Sequence, residues 1–459
     1  MINETETIAA ISTGAGNSGI GIVRISGEES FEIIKKIFRP ARPKDMGSVP
    51  SHTVHYGRIE EGGEVIDEVL VTMMKGPHTY TCEDTAEINC HGGAFVQRRV
   101  LETAVRAGAR IAEPGEFTKR AFLNGRIDLS QAEAVIDIIN AENDFALKSA
   151  ERQLRGSVSE KIRAERAILL EQTAYIEAAL DDPEHIEMEG YGEKLLPVVE
   201  GCRKDIDALI RSADDGHILK EGIRTVIVGK PNVGKSSLLN ALLEEERAIV
   251  TDIAGTTRDV LEEHIRLDGL VLNVVDTAGI RSTDDIIEKI GVAKAKKYAK
   301  EADLIIFVAD GSAAPDRDDE EILRSIKGRR AIALLNKRDI GTGISTEDFE
   351  KRFGIPAIGA SLREGRGREE LVLRIREMFF RGEIDFNNQV YITNERQKNA
   401  LIAAQESLLR VEESIRQGVS EDFYTIDLLD AYENLGLVTG EAISDDLADE
   451  IFSRFCMGK

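Results

Sequence analysis

One stretch constrains this chain more than any other: Gly229-Lys-Pro-Asn-Val-Gly234-Lys235-Ser236. It fits G-x-x-x-x-G-K-[ST] and lies between a strand-like run, Thr225 to Val228, and a helix-like run, Ser237 to Leu243. A chain carrying this pattern must build a strand, a tight loop and a helix whose N-terminus faces an anion. The glycines let the loop curl with its N–H groups inward, Lys235 can reach terminal phosphates, and the Ser236 hydroxyl can ligate Mg²⁺. The expected ligand is a nucleotide, with Asn232, Val233, Gly234, Lys235, Ser236 and Ser237 as its contacts.

Around this loop, residues 218 to about 380 alternate short apolar strands (Val271 to Val275, Leu304 to Val308, Ala331 to Leu335) with helical stretches, the rhythm of a parallel α/β sheet. Asp276-Thr277-Ala278-Gly279 follows one strand, where open parallel sheets bind ligands, and offers a carboxylate near Mg²⁺ and a glycine N–H for a γ-phosphate. Asn336-Lys337-Arg338-Asp339 follows another. A buried acid at Asp339 can accept from the N1 and exocyclic amine of guanine, which adenine cannot offer, so it selects GTP. Ser361-Leu362-Arg363 would back the base from the last strand. Any one of these motifs is a plausible surface turn; three in this order, each at a strand end, are not.

Outside that region the chain changes character. Residues 1 to about 118 mix β-like runs (Gly19 to Ile25, Val65 to Thr72) with helical stretches such as Phe31 to Phe38. From Phe117 to about Ser212 strand signals vanish, and Ile162, Leu169 and Ile176 recur every seven residues. Leu401, Ala404, Leu408, Val411 and Ile415 form a second apolar stripe. Neither stripe covers itself, so the economical arrangement is one helical domain interrupted by the α/β domain, with two separate bundles as the other arrangement. The 459 residues allow about three domains. A net charge of −24 opposes a broad grip on nucleic acid, so any RNA contact must be local or delegated to a partner. An acidic start and no apolar run of membrane-spanning length point to a cytoplasmic protein with no membrane partner. Cys82, Cys90, Cys202 and Cys456 show no paired spacing, and His52-x-x-His55 and Cys90-His91 read as structural rather than metal-binding.

Hydrolysis poses a problem. Where some GTPases carry a water-orienting glutamine after Asp-x-x-Gly, this chain has Ile280, which neither donates nor accepts. The segment around Thr251, Asp252, Ile253, Ala254, Gly255, Thr256 and Thr257 is rich in carbonyls and hydroxyls and can cage a monovalent cation as well as supply a threonine to Mg²⁺. Such a cation would supply the charge that an arginine supplies elsewhere. Asp284, Asp285 and Glu288 are acidic candidates for positioning water; by position alone each also reads as a solvated loop carboxylate.

The GTPase motifs with Gly255-Thr-Thr-Arg258, together with Cys90-His-Gly-Gly93, Pro114-Gly-Glu-Phe-Thr118, Arg120-Ala-Phe-Leu-Asn-Gly125 and the tail Cys456-Met-Gly-Lys459, make the chain resemble the MnmE (TrmE) family of tRNA-modification GTPases along essentially its whole length. The resemblance implies a multidomain fold: an α+β N-terminal domain (1–118) that binds tetrahydrofolate and dimerises, and an all-α helical domain (119–217 and 381–459) interrupted by a Ras-like α/β P-loop GTPase domain (218–380). It implies a potassium-stimulated GTPase, active as a homodimer. With an FAD-dependent MnmG-type partner in a heterotetramer, it would install carboxymethylaminomethyl or aminomethyl groups on the wobble uridine of certain tRNAs. By matching position, Asn232, Thr251, Ile253 and Thr256 are implied as K⁺ ligands, Ser236 and Thr257 as Mg²⁺ ligands, and Glu288 as the catalytic glutamate. Arg24, Glu87, Arg126 and Lys459 are implied for 5-formyltetrahydrofolate or a related tetrahydrofolate. From the residues alone, Arg24 and Arg126 also read as surface ion-pair partners. Cys456 matches a family cysteine and is a catalytic candidate without an assigned role.

The chain departs from the family pattern at Thr13 to Ser18, at Asp181-Asp-Pro-Glu-His185, at Leu362 in place of a small residue, and at Met457. A GTP-gated ribosome-assembly or RNA-associated switch is the alternative function. The folate-like N-terminal segment, the Cys-x-Gly-Lys tail and the lack of a basic extension after the GTPase motifs favour the modification enzyme.

Overall fold

The computed structural model describes residues 6–14, 16–141, 143–186, 188–243, 262–267, 270–275, 302–379, 392–441, 445–453, 455–456 and 458. The chain divides into two compact units, one of residues 1–136, 153–202 and 400–459, the other of residues 137–152 and 203–399.

In the first unit, β1 (Ile8–Ile11), β2 (Ile20–Ser26), β3 (Phe38–Pro40), β4 (Thr53–Glu61), β5 (Glu64–Met74), β6 (Thr85–His91) and β7 (Arg110–Ile111) form a sheet in the order β3-β4-β5-β6-β2-β1-β7. Only β1 and β7 pair in parallel. Strand alternation decides what faces what. Val23 and Ile25 of β2, Val71 and Met73 of β5 and Ile88 of β6 turn inward against α1 (Ser30–Ile37) and α2 (Ala94–Arg106) and are fully buried. The intervening Arg24 therefore lies on the opposite face, in register with Glu87.

The helices of the chain continue as α3 (Glu116–Leu123), α4 (Leu129–Ile139), α5 (Asp144–Leu154), α6 (Ser157–Asp181) and α7 (Tyr191–Glu221), and near the C-terminus as described below. Ile162, Leu169 and Ile176 on α6 are fully buried, as the seven-residue spacing predicts. The two helical portions pack together within the first unit. Arg166 of α6 donates to the Tyr432 carbonyl at 3.2 Å, stacks 4.0 Å from the Tyr432 ring centroid and pairs with Glu441. Gly436 lets that guanidinium approach, since a Cβ there would lie 3.2 Å from it. Residues 153–202 and 400–459 thus share one compact unit, in which α6 packs against the C-terminal helices.

The second unit holds β8 (Ile223–Val228), α8 (Lys235–Leu243), β9 (Glu262–Leu267), β10 (Leu270–Val275), β11 (Leu304–Asp310), α9 (Arg317–Ser325), β12 (Ala331–Asn336), α10 (Thr346–Phe353), β13 (Ala357–Gly359) and α11 (Arg368–Phe379). After it come α12 (Glu395–Arg416), α13 (Tyr424–Thr439) and α14 (Asp445–Ser453). The sheet order is β13-β12-β11-β8-β10-β9. Both faces are covered, by the cluster of Ile227, Leu238, Ile306 and Leu334 on one side and of Val226, Phe307 and Phe349 on the other. That double burial makes β11 and β12 read as unbroken apolar runs. The pairing is parallel from β13 through β12, β11 and β8 to β10, as the sequence rhythm predicts, and β9 adds an antiparallel edge on β10. Two residues separate Leu267 from Leu270, and a connection that short can only reverse the chain.

Candidate nucleotide and folate sites

The phosphate-type loop leaves the C-terminal end of β8, the point where the strand order switches from β10 on one side to β11 on the other. Its backbone uses unusual conformations: Asn232 has φ 59° and Gly234 φ 107°. A Cβ on Gly234 would run into the Asn336 amide nitrogen, so only glycine fits. Lys235 holds its ammonium against the loop's own carbonyls, donating to Gly229 at 2.8 Å and Lys230 at 2.6 Å. Ser236 and Ser237 lie on the first turn of α8, and Val233 is buried.

Asn336, at the end of β12 and 4% exposed, ties two loops together. Its amide donates to the Val233 carbonyl at 2.9 Å, and its oxygen accepts from the Leu362 N–H at 3.1 Å. Leu362 thus serves through its backbone while its side chain packs on the sheet's core, which accounts for tolerance of a large residue there. Ser361, buried just beyond β13, donates to Asp339 at 2.9 Å and so orients its carboxylate. The expectation of a buried Asp339 is corrected: it is exposed, on the turn after β12, and Arg363 is exposed too.

Two ion-pair groups brace the site. Lys337, in the left-handed region at φ 64°, pairs with Asp310 at the end of β11 at 2.8 Å. Partial burial pushes the Asp310 carboxyl up, but Lys337 and then Ser312 outweigh this and hold it below the usual carboxylate range. Lys230 pairs with Asp316 at 2.6 Å and Asp319 at 2.8 Å, and its hydrogen bond lowers Asp316 to about 2. Thr251, Asp252, Ile253, Ala254, Gly255, Thr256, Thr257, Asp276, Thr277, Ala278, Gly279 and Glu288 lie outside the described residues, as does Lys459.

In the first unit, three of the four folate candidates converge. Arg24 pairs with Glu87 at 2.9 Å, both largely shielded, with side-chain exposures of 17% and 22%. The Arg24 guanidinium lies 5.5 Å from the Tyr80 ring centroid and 5.6 Å from that of Phe117. Arg126 stacks 4.8 Å from the same Tyr80 ring and donates to the Tyr80 carbonyl at 2.8 Å. The ion-pair reading of Arg24 is therefore met, by Glu87 itself, which keeps lone pairs for further donors. The tail reaches this place: the Gly458 carbonyl accepts from Ser12 at 3.0 Å and from Arg24 at 3.4 Å. Gly458 has φ 88°, and a Cβ on it would strike the Ile11 carbonyl. Cys456 is exposed, its carbonyl accepting from the Gly115 N–H at 3.3 Å. Cys90 is buried, and burial pushes its thiol up to about 11, while His91 hydrogen-bonds Asp67 at 2.6 Å.

Sequence reasoning misses Tyr80, Asp310 and the Gly458 carbonyl. Asp310 carries a signal, as a lone acid closing an apolar strand run; Tyr80 and a backbone carbonyl carry none.

Comparison with known proteins adds to this geometry. The family model described as "GTP-binding protein TrmE N-terminus" matches residues 7–126, and that described as "MnmE helical domain" matches residues 129–456. The chain is 55% identical over 457 residues to the tRNA modification GTPase MnmE of Lachnoclostridium phytofermentans, covering 99% of this chain and 100% of that protein. It is 50% identical over 458 residues to the protein of the same name from Thermoanaerobacter pseudethanolicus, covering 99% of each. With that of Acetivibrio thermocellus it shares 47% over 457 residues, again covering 99% of each.

Proposed function

The chain belongs to the MnmE family of tRNA-modification GTPases, and on that premise we propose that it is a potassium-stimulated, homodimeric GTP hydrolase of the cytoplasm. With an FAD-dependent MnmG-type partner it drives addition of a carboxymethylaminomethyl or aminomethyl group to C5 of the wobble uridine of certain tRNAs. The proposed domains are 1–118, a helical domain of 119–217 and 381–459, and a GTPase domain of 218–380. Among the described residues no helix is long and apolar enough to cross a membrane.

The observation that carries the nucleotide half of this reading is the Asn336 clamp, which braces the phosphate loop and the segment holding the Ser361–Asp339 pair from one side chain. Guanine N1–H and its amine would donate to Asp339, while the loop N–H groups and Lys235 take the phosphates. Ser236, at the head of α8, fits an Mg²⁺ ligand, with Thr257 as the second; the bound ion neutralises phosphate charge. K⁺ would be held by Asn232, Thr251, Ile253 and Thr256 and supply positive charge beside the phosphates. Glu288 orients the attacking water, a task Ile280 cannot perform.

The folate half draws support from the donor set. The Glu87 carboxylate suits the amide-like donors of a pterin, the Tyr80 ring offers a flat apolar wall, and Arg126 and Lys459 offer cations to glutamyl carboxylates. Calorimetric titration with 5-formyltetrahydrofolate, beside GTP turnover in K⁺ and in Na⁺, tests the reading. Folate binding lost in Glu87→Ala and turnover markedly slower in Na⁺ are expected. Absence of folate binding with intact turnover would sink the modification role, and equal rates in the two salts would sink the cation role.

A further inference from the structure

The phosphate loop carries two lysines, Lys230 and Lys235, whose positions are linked through one carbonyl. The Lys235 ammonium, which takes terminal phosphates in a loop of this type, is held by the carbonyls of Gly229 and Lys230 at 2.8 and 2.6 Å. Where that charge sits therefore depends on where residue 230 sits. Its backbone has little freedom, because Pro231 follows and disfavours the helical region for the residue before it. Its side chain reaches the start of α9, where Lys230 meets Asp316 at 2.6 Å and Asp319 at 2.8 Å.

Those two acids also cap α9. One oxygen of Asp316 accepts from the Asp318 and Asp319 N–H groups at 3.1 Å each, and Asp319 accepts from the Asp316 N–H at 3.2 Å, a reciprocal capping box. The second oxygen of Asp316 is left for Lys230, while the Asp319 oxygen that takes the Asp316 N–H takes the ammonium as well. The two contacts are unequal: the Asp316 side chain is 58% exposed and screened by water, whereas that of Asp319 is 5% exposed. The other Asp319 oxygen is buried and accepts no hydrogen bond among the described residues. Removing Lys230 would strand a shielded carboxylate, so the contact resists release.

We propose that Lys230 is a positioning residue for GTP hydrolysis: gripped by the α9 capping box, it fixes its own carbonyl and, through it, the Lys235 ammonium against the phosphates of GTP. This rests on the GTP-hydrolase reading above. It gives the loop a second support at its start, separate from the Asn336 contact with Val233 near its end. Lys230 acts through Lys235, so its loss falls on the charge that develops during reaction, and hence on turnover more than on nucleotide affinity.

Steady-state GTP turnover and GDP affinity of the full chain test this with Lys230→Met, Lys230→Arg, Asp319→Asn, and Lys230→Met combined with Asp319→Asn. Lys230→Met is expected to lower kcat by about tenfold or more while GDP affinity falls by no more than about threefold. Lys230→Arg keeps a cation for both carboxylates and should bring kcat back to within about threefold of wild type. Asp319→Asn keeps an acceptor for the Asp316 N–H but removes the charge, and should lower kcat by less than Lys230→Met does. Methionine at position 230 also leaves two carboxylates near an anionic ligand, and the double variant separates that effect: its kcat should stay low. Recovery of kcat in the double variant would reduce Lys230 to a screening charge and overturn the positioning role, as would wild-type kcat in Lys230→Met. Equal losses of kcat and affinity that arginine does not rescue would show a loop that is merely loosened and would overturn it too. Each of these results leaves the GTP-hydrolase reading standing, whereas a wild-type chain that does not hydrolyse GTP would overturn both.

Discussion

Replacing Asn336 by alanine tests whether one buried amide organises the nucleotide site. The side chain makes two hydrogen bonds, at 2.9 Å to the Val233 carbonyl and at 3.1 Å from the Leu362 N–H, and is 4% exposed. Truncation leaves both partners without it. A buried group stranded in this way costs about 1–3 kcal/mol. Leu362 is half-buried and water can reach its N–H in part, so the lower half of the range applies to it. Together the loss is about 2–5 kcal/mol. The clamp's two hydrogen bonds join segments of the protein itself, so most of that loss should appear as local stability. The ordering that GTP must then restore, about 1–2 kcal/mol, corresponds to roughly five- to thirtyfold weaker binding.

Hydrogen exchange of the segment from Ile223 to Leu243 and titration with a fluorescent GDP analogue measure the two parts. Asn336→Asp sharpens the case, because a carboxylate can still accept from Leu362 but cannot donate to Val233, and should be at least as damaging as alanine. Unchanged protection of the segment together with GDP affinity within about twofold of wild type would refute the clamp.

Further outcomes concern other parts of the chain. Burial pushes the Glu116 carboxyl up, but Arg110, the Glu113 N–H and Arg120 outweigh it and hold its value below the ordinary 4.5. A carboxylate so lowered stabilises the fold above its unfolded value and loses that contribution as pH falls through the folded one. Glu116→Gln should therefore cost stability at neutral pH and flatten the acid side of the pH–stability curve below about 4.5; parallel curves would contradict this. Leu169→Ala on α6 removes a fully buried side chain and should destabilise the helical assembly by about 2–5 kcal/mol in denaturant titration, against a negligible change for the exposed Leu170→Ala. A thiol reagent at neutral pH should label Cys456 readily and Cys90 and Cys202 only on unfolding, since the latter two are buried and the Cys90 thiol lies near 11. Fast native labelling of Cys90 would show that β6 opens.

The phosphate loop is legible in the sequence because its chemistry is local. Contiguous N–H groups, glycines at positions needing positive φ and the following helix all sit within Gly229 to Leu243. The α6 stripe is legible for a like reason, since Ile162, Leu169 and Ile176 show their common face by spacing alone. Asp339 shows the limit: its motif leads to the expectation of a buried, base-facing acid, but the burial is not found, because exposure depends on how a turn sits and not on its residues. The antiparallel pairing of β9 is hidden by the parallel rhythm around it, and only its short link to β10 betrays the reversal.

By itself, then, the sequence determined a phosphate-binding loop, an α/β sheet buried on both faces and helices that each needed a partner. These follow from backbone preference and from the periods of apolar residues, which act over a few residues at a time. Only the tertiary structure decided which distant groups meet. Asn336 lies against Val233, Arg24 in register with Glu87, the Gly458 carbonyl against Ser12 and Arg24, and Arg166 against Glu441. Such meetings depend on strand order, register and the packing of whole helices; a slip of one residue along β2 would turn Arg24 into the core, and nothing local to Arg24 forbids it.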